Sequence, residues 1–279
     1  MYYPHFTRYA VITYPKMRLY TRIQHVKLLM MPRATFRFYA GLNDLLPPDQ
    51  RQDAFTLQFN GRVTIKHLVE SLGVPHTEID LIIVNGNSVD FSYLVQNEDR
   101  ISVYPIFVSI DIGTIGRLRP QPLRETRFVL DTHLGQLATY LRLIGFDCLY
   151  QNNYEDADLA EISSEQRRIM LTRDRGLLKR NLVRHGYCIR ENDPRLQLLE
   201  VIRRFDLHDA IHPFQRCLKC NGWLESVDKE DIVDRLQYNT SRYFDEFRIC
   251  VSCDQVYWKG SHFERMQRFL DDVLNMELE

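Results

Sequence analysis

Between residues 127 and 174, short apolar runs alternate with helical patterns, and this alternation constrains the fold more than any other feature of the sequence. Residues 127–131, 146–150 and 168–172 are too short and apolar for helices, and we predict that they are strands. Residues 133–144 and 156–162 carry the helical spacing between them. Such alternation predicts right-handed crossovers and a parallel sheet, in which functional side chains lie beyond the carboxyl ends of the strands. Asp131 and Asp174 both occupy such positions.

Composition gives broad limits on the class of protein. The 279 residues, 44% hydrophobic and 26% charged, are typical of a soluble globular chain with two or three domains. No apolar stretch has the length of a membrane helix and no secretory signal is recognisable, so we expect no membrane association. Four of the six cysteines form CxxC pairs and the other two lie in predicted strands, which favours a reducing, cytoplasmic setting.

The amino-terminal residues are basic and show no periodicity. The first 40 residues contain seven Lys or Arg and no Asp or Glu, and we predict a disordered basic extension over residues 1–32. If translation starts at Met30 or Met31, the residues before it are a mistaken upstream extension of the sequence. The alternative is a basic arm that contacts nucleic acid.

Two further segments separate this extension from the strand-rich centre. Residues 33–110 alternate between strands, one helix from Thr64 to Leu72, and a hairpin at Asn85-Gly86. Residues 111–126 contain Gly113, Gly116 and two prolines, and we predict that they form a linker.

Two CxxC pairs predict a metal site in the last segment, residues 209–279, which we expect to be a zinc ribbon with a C-terminal helix. Cys217, Cys220, Cys250 and Cys253 can supply four thiolates in a tetrahedron. Four thiolates leave no open coordination position, so we predict a structural zinc without His262. We expect Trp223, Tyr257 and Trp258 to form a miniature core rather than to stack on bases.

The runs at residues 83–90 and 98–105 resemble the β-grasp fold of small ubiquitin-like sulfur carriers. Those carriers work through a free C-terminal Gly-Gly, whereas this segment continues into Asp111-Ile112-Gly113. We therefore expect a docking or scaffolding role with a protein partner. We also expect that deletion of residues 1–110 leaves a folded, active remainder.

The runs at residues 127–131, 134–138, 141–147, 171–178, 217–222 and 257–262 resemble the Mut-seven-C family of PIN-like ribonucleases, which often carry an N-terminal ubiquitin-like domain. The resemblance implies an α/β fold, PIN-like with a parallel sheet, over residues 127–208. It also implies metal-dependent cleavage of RNA with Asp131, Asp156 and Asp174 as ligands of Mg²⁺ or Mn²⁺. We favour Asp156 over the competing Asp158 because an N-cap position would aim it toward the strand ends.

Several neighbours of these acids have weaker roles. Gly176 stands where related families place a fourth acid, which leaves Asp193 as a weaker substitute. Thr172 and Arg173 could orient a metal-bound water or a phosphate. We expect His133 to be a first-turn helix residue rather than a general base.

A second class of function stays open. Any one aspartate after a strand could serve only as a helix cap, and the chain could then be a non-catalytic RNA- or protein-binding module built on a degenerate PIN-like core. Dinucleotide binding is excluded because no GxGxxG follows the first strand.

Overall fold

A computed structural model describes residues 31–107, 118 and 125–275. The predicted basic extension and most of the predicted linker lie outside the described residues. Three units follow one another along the chain, and we call them the N-terminal, central and C-terminal units. No helix among the described residues combines the length and the apolar character that a membrane crossing requires.

The N-terminal unit is a five-stranded mixed sheet with one α-helix, as the β-grasp prediction requires. Its elements are β1 (Arg33–Phe38), β2 (Phe55–Gln58), α1 (Ile65–Ser71), β3 (Ile79–Val84), β4 (Asn87–Val89) and β5 (Asp99–Pro105), with short 3-10 turns at Ala40–Leu45, Pro48–Gln50 and His76–Glu78. The strand order is β2-β1-β5-β3-β4, and β1 and β5 are parallel at the centre. At the hairpin, Asn85 and Gly86 have φ angles of 50° and 87°, which is the conformation that favours this residue pair.

The central unit is the predicted parallel sheet. Its elements are β6 (Arg127–Leu130), a 3-10 turn (Thr132–Leu134), α2 (Gly135–Leu143), β7 (Asp147–Leu149), α3 (Asp156–Glu165), β8 (Ile169–Thr172), α4 (Arg175–Leu178), β9 (Gly186–Cys188) and α5 (Pro194–Phe205). The strand order is β7-β6-β8-β9, and all neighbours are parallel. Leu130 pairs with Leu171 at the carboxyl ends of β6 and β8. The structure therefore confirms that the strands preceding Asp131 and Asp174 are adjacent.

The C-terminal unit is a three-stranded antiparallel ribbon followed by a long helix. Its elements are a 3-10 turn (His208–Ala210), β10 (Leu224–Val227), α6 (Lys229–Ile232), a 3-10 turn (Val233–Arg235), α7 (Tyr238–Tyr243), β11 (Phe247–Cys250), β12 (Val256–Trp258) and α8 (Ser261–Asn275). Leu270 and Val273 of α8 belong to the same buried cluster as Phe128 and Leu137 of the central unit. The last helix therefore packs against the core of the central unit.

The N-terminal and central units share one hydrophobic core. A single cluster of buried side chains contains Phe36 and Ile82 from the first sheet together with Val129 and Met170 from the parallel sheet and Leu178 of α4. Deleting residues 1–110 would remove one side of this cluster. The expectation of an independently folded remainder therefore has a physical argument against it, since apolar surface would become exposed to water.

Both edge strands of the parallel sheet are bonded by side chains from the flanking units. At β9, the Cys188 backbone N–H donates to Glu78 Oε1 of the N-terminal unit at 2.9 Å. At β7, the Cys148 backbone N–H donates to Asn221 Oδ1 of the C-terminal unit at 2.9 Å. An exposed edge strand invites pairing with other chains, so the flanking units protect the central sheet.

Glu78 forms a buried ion pair across the first of these contacts. Its side chain is 1% exposed, and Oε2 accepts a hydrogen bond from Arg190 Nη2 at 2.6 Å. Neighbouring bonds join Arg175 Nη1 to the Leu45 carbonyl at 2.8 Å and Lys179 Nζ to the Glu70 carbonyl at 2.6 Å. This face of the N-terminal unit is therefore occupied within the chain.

Candidate functional site

Asp131 and Asp174 are connected through one buried hydroxyl. Thr172 is fully buried, and its Oγ1 donates to Asp131 Oδ2 at 2.7 Å and accepts the Asp174 backbone N–H at 2.9 Å. Asp131 itself is only 8% exposed. The short parallel strands fix this arrangement because both acids follow neighbouring strands at the same edge. The sequence suggested Thr172 as a residue that orients water or phosphate, whereas here its hydroxyl bonds to the Asp131 carboxylate and to the Asp174 backbone.

Asp174 also caps the next helix. Its Oδ1 accepts the Gly176 backbone N–H at 2.6 Å, the usual contact of an aspartate N-cap. A Cβ added at Gly176 would lie 3.0 Å from that same oxygen. The glycine at the position where related families place an acid therefore leaves room for the Asp174 carboxylate, whose Oδ2 takes no part in the cap.

Asp156 lies apart from this pair in its contacts. Its Oδ2 accepts a hydrogen bond from Arg180 Nη2 at 3.1 Å. The N-cap of α3 is Glu155, which forms a reciprocal capping box with Asp158. The prediction of Asp156 as the N-cap was wrong because the preceding acid takes that role, and Asp156 is the first helical residue. Asp158 is committed to the cap through the Glu155 backbone N–H at 3.1 Å.

The secondary candidates have structural contacts of their own. Arg173 Nη2 donates to Asn192 Oδ1 at 2.5 Å, which places the guanidinium beside the chain that follows β9. Asp193 Oδ1 caps α5 by accepting the Arg195 backbone N–H at 2.7 Å. His133 is exposed on the 3-10 turn after Asp131.

The aspartates offer hard oxygen donors of the kind that Mg²⁺ and Mn²⁺ prefer. Each carboxylate oxygen has two lone pairs, so the bonds from Thr172 and Gly176 leave further acceptor capacity on Asp131 and Asp174. Within the described residues, however, the four ribbon cysteines alone form a group of three or more potential ligands whose ligand atoms all lie within 4.8 Å of one another. The donor chemistry of Asp131 and Asp174 fits a divalent ion, whereas Asp156 is paired with Arg180.

The four ribbon cysteines form a compact cluster. The sulfur atoms of Cys217 and Cys253 are 3.6 Å apart and those of Cys220 and Cys250 are 3.3 Å apart. A zinc ion with Zn–S bonds of about 2.3 Å would hold tetrahedral sulfurs about 3.8 Å apart, whereas a disulfide needs about 2.05 Å. The cluster could therefore bind zinc, as predicted from the CxxC pairs.

The Cys217 and Cys220 thiols differ in their pKa values. Burial opposes ionisation of Cys217, but bonds from the Tyr257 hydroxyl and from backbone N–H groups lower its pKa to about 7. Burial, with further contributions from neighbouring sulfurs, raises the pKa of Cys220 to about 12. A metal ion must displace the Cys220 proton, so metal affinity should fall as the pH falls.

Residues 217–222, which we call the first cysteine knuckle, are bonded to the edge of the parallel sheet through Asp147. Arg168 donates to both Asp147 oxygens at 2.6 and 3.2 Å, and Asn221 Nδ2 donates to Oδ1 at 2.8 Å. Burial would raise the pKa of Asp147, but these bonds and the nearby Arg216 hold it below its usual value. A lowered folded-state pKa means that the pair stabilises the fold above the unfolded pKa and that this contribution is lost as the pH falls through the folded pKa.

The two tryptophans do not form the expected miniature core. Trp223 is 50% exposed and Trp258 is 40% exposed. The Arg216 guanidinium lies 3.9 Å from the centre of the Trp223 ring, so a cation covers part of that indole. Tyr257 does face inward, since its hydroxyl contacts Cys217 Sγ and accepts the Leu218 backbone N–H, both at 3.1 Å.

Removing one cysteine should release the metal and destabilise more than the ribbon. We expect Cys220→Ser to reduce the bound zinc from one ion per chain to none, because the substitution removes one of the four thiolate ligands. The stability should fall as well, since structural zinc contributes about 10–16 kcal/mol to folding in small zinc-finger peptides. Loss of the knuckle would also free Asn221 from the β7 edge. Elemental analysis and thermal unfolding measure both effects, with Ser252→Ala as the control beside the second knuckle. A wild-type protein that is purified without zinc and still unfolds in one sharp thermal transition would contradict this prediction.

Two family models match this chain. Residues 126–270 match the model described as the Mut7-C RNAse domain, and residues 31–111 match the model described as Mut7-C ubiquitin. No curated protein sequence shows a significant match. The first match spans the parallel sheet, the Asp131 and Asp174 positions and the cysteine cluster, and the second spans the N-terminal sheet.

Proposed function

The chain belongs to the Mut7-C RNAse domain family, and from that membership we propose that it is a metal-dependent ribonuclease that hydrolyses RNA phosphodiester bonds. We assign residues 33–110 to a ubiquitin-like domain, 127–208 to the nuclease domain and 209–279 to the zinc ribbon, with 111–126 as the linker. We also propose cytoplasmic residence and RNA as the partner.

The observation that supports this proposal is that Asp131 and Asp174 follow adjacent parallel strands, with the Thr172 hydroxyl bonded to the Asp131 carboxylate and to the Asp174 backbone N–H. Two carboxylates at the carboxyl ends of adjacent parallel strands lie where α/β sheets bind their ligands. The Thr172 hydroxyl holds Asp131 Oδ2 at 2.7 Å. Outer hydrogen bonds of this kind orient metal ligands.

Asp131, Asp156 and Asp174 are the residues that we propose to hold the divalent ions. Mg²⁺ or Mn²⁺ bound there would supply a nucleophilic water and neutralise the charge on the leaving oxygen. The Thr172 hydroxyl would fix the orientation of the Asp131 carboxylate through its hydrogen bond to Oδ2. Arg173, next to Asp174 in sequence, offers a guanidinium that can bond to a phosphate in bidentate fashion. We assign zinc in the cysteine cluster a structural role.

The proposal is tested by incubating purified protein with defined single-stranded RNAs in Mn²⁺, in Mg²⁺ and in EDTA. We expect cleavage with either ion and none with EDTA. Removal of the catalytic ions by EDTA should be reversible when Mn²⁺ is added back. Cleavage that is equal in EDTA would contradict a metal-dependent reaction.

Asp156 and Asp158 provide a paired test of the third ligand. We expect Asp156→Asn to reduce cleavage strongly and to diminish the rise in melting temperature that Mn²⁺ causes, because a ligand that binds only the folded state stabilises it. Asp158→Asn should affect cleavage much less, since that carboxylate bonds to the Glu155 N–H. Equal cleavage by the wild type and Asp156→Asn would leave Asp156 as the partner of Arg180 only.

A binding module is the second candidate function, and the Asp156–Arg180 ion pair favours it. In that reading the third acid is neutralised by Arg180 and no complete metal site forms. RNA would then bind with similar affinity in EDTA and in Mn²⁺ and would remain uncut. The nuclease assay above therefore separates the two functions.

A further inference from the structure

A polar cleft lies between the ubiquitin-like domain and the carboxyl edge of the central sheet. Its volume is about 640 Å³, within the range of about 300–1,000 Å³ in which small-molecule ligands bind. Arg173 and Arg175, which flank Asp174 in sequence, both line it, and Asp44 lines it from the ubiquitin-like domain. The residues on both sides of Asp174 therefore line the cleft, and the ubiquitin-like domain contributes Asp44 to it.

The carboxylates deepest in this region are already used by the protein. Glu200 accepts hydrogen bonds from the Tyr187 hydroxyl and from the backbone N–H groups of Arg190 and Glu191, at 2.9 to 3.1 Å. Glu78 accepts from Cys188 and Arg190. Glu78 therefore holds the Arg190 guanidinium, and Glu200 is satisfied mainly by the Tyr187 hydroxyl and two backbone N–H groups. Arg173 and Arg175 are the guanidinium groups of the cleft that a ligand can bind.

The guanidinium groups of the cleft keep donors for an anion. Arg173 bonds to Asn192, and Arg175 bonds to the Leu45 carbonyl and to the Cys188 thiol, so each guanidinium keeps most of its five N–H donors. Arg190 is largely engaged within the protein, since Nη1 donates to the Cys188 carbonyl at 2.7 Å, Nη2 donates to Glu78 at 2.6 Å, and Nε is buried. A phosphate oxygen is the natural acceptor for donors of this geometry.

Asp44 supplies the opposite kind of group. Its side chain is 61% exposed, and Oδ2 lies 3.8 Å from Arg190 Nε, too far for a hydrogen bond. A carboxylate beside phosphate-binding arginines would repel a phosphate but would accept a hydrogen bond from a ribose hydroxyl. The 2′-hydroxyl is the group by which proteins distinguish RNA from DNA.

We propose that this cleft binds one ribonucleotide of the RNA strand next to Asp174, with Arg173 and Arg175 at its phosphate and Asp44 at its 2′-hydroxyl. The ubiquitin-like domain then contributes directly to the selection of RNA over DNA. This inference rests on the proposed function, since it names the substrate contacts of that site.

The test measures binding of a fluorescent single-stranded RNA and of the DNA of the same sequence in a buffer without Mg²⁺, Mn²⁺ or chelator, so that no cleavage occurs and the ribbon keeps its zinc. Asp44→Ala should weaken RNA binding severalfold and leave DNA binding unchanged or tighter, because only RNA loses a hydrogen bond while both lose a repulsion. Asp49→Ala is the matched control, an exposed acid of the same domain outside the cleft lining. Equal changes of RNA and DNA affinity in Asp44→Ala, or equal ratios in Asp44→Ala and Asp49→Ala, would overturn the proposal.

A second pair of variants tests the phosphate contact. Arg173→Ala should lower the affinity for both strands and reduce the slope of log K against log salt by about 0.7, the value for one phosphate contact with a single strand. Arg184→Ala, an exposed arginine before β9 and so at the amino edge of the sheet, should leave the slope unchanged. Equal slopes in both variants would overturn the proposal. So would an Arg173→Ala variant that no longer binds inorganic phosphate but binds RNA as tightly as the wild type. Intact RNA selection with no cleavage in Mn²⁺ would instead refute the proposed nuclease while leaving the cleft supported.

Discussion

Asp174→Asn is expected to abolish RNA cleavage while it leaves the fold intact. Asparagine keeps the size of the side chain and is an equally good N-cap, so the bond to the Gly176 N–H is preserved. The substitution removes the negative charge that would bind Mg²⁺ or Mn²⁺. The cleavage rate should fall to the background of the assay. This loss is larger than the 10–100-fold loss that is typical when a residue behind the metal ligands is changed.

The metal response and the metal-free stability should change in opposite ways. Asp131 and Asp174 follow adjacent strands, and their like charges repel each other without a cation. Asp174→Asn without metal should therefore melt at the same or a higher temperature. In the wild type, Mn²⁺ at a hundred times its Kd should stabilise the folded state by about 2.7 kcal/mol and so raise the melting temperature. This rise should disappear in Asp174→Asn. Asp131→Asn should behave alike.

Asp193→Asn is the matched comparison for Asp174→Asn. Both aspartates cap a helix through Oδ1 and the N–H two residues later, at 2.6 Å for Asp174 and 2.7 Å for Asp193. Retained cleavage in Asp193→Asn would assign that carboxylate to capping, and lost cleavage would make it the fourth acid. Metal-dependent cleavage that persists in both Asp131→Asn and Asp174→Asn, with contaminating nuclease excluded, would move the active site elsewhere.

The parts of the fold that the sequence predicted are those specified by local pattern. Strand length and helical period located the parallel sheet, in which the strands that precede Asp131 and Asp174 are neighbours. The CxxC spacing located the metal cluster. The cap of α3 was misplaced by one residue because Glu155 and Asp156 are adjacent acids and either could begin the helix.

Contacts between the units could not be predicted because no local pattern carries them. Glu78 and Arg190 are separated by 112 positions, and Glu78 stands in an ordinary polar segment before β3. Asn221 reads as a residue of a zinc knuckle, yet it bonds to the edge strand β7. The exposure of Trp223 was missed since small zinc sites often use aromatic residues as their core. Three-dimensional packing decides each of these cases.

Removal of residues 1–110 is expected to unfold or aggregate the remaining chain. The cut would expose side chains of the shared core around Val129, Met170 and Leu178, each worth about 1.5–3 kcal/mol when buried. It would also leave Arg190 without Glu78 and the β9 edge without its acceptor. Together these losses approach the total stability of a typical domain, about 5–15 kcal/mol. A fragment that melts cooperatively near the full-length temperature and cleaves RNA at the same rate would restore the independent-domain expectation.

One point substitution measures the same coupling without a deletion. Glu78→Gln keeps an oxygen for the Cys188 N–H and removes the charge beside Arg190, so we expect a loss of about 3–5 kcal/mol in the free energy of unfolding, as for a broken buried ion pair. Glu98→Gln is the control, because its pair with Arg33 has both side chains more than half exposed and should contribute about 0–1 kcal/mol. Urea unfolding of the full chain gives both values. Equal losses in the two variants would show that the interface contributes no more than a surface ion pair, and the two domains would then be coupled through the apolar cluster alone.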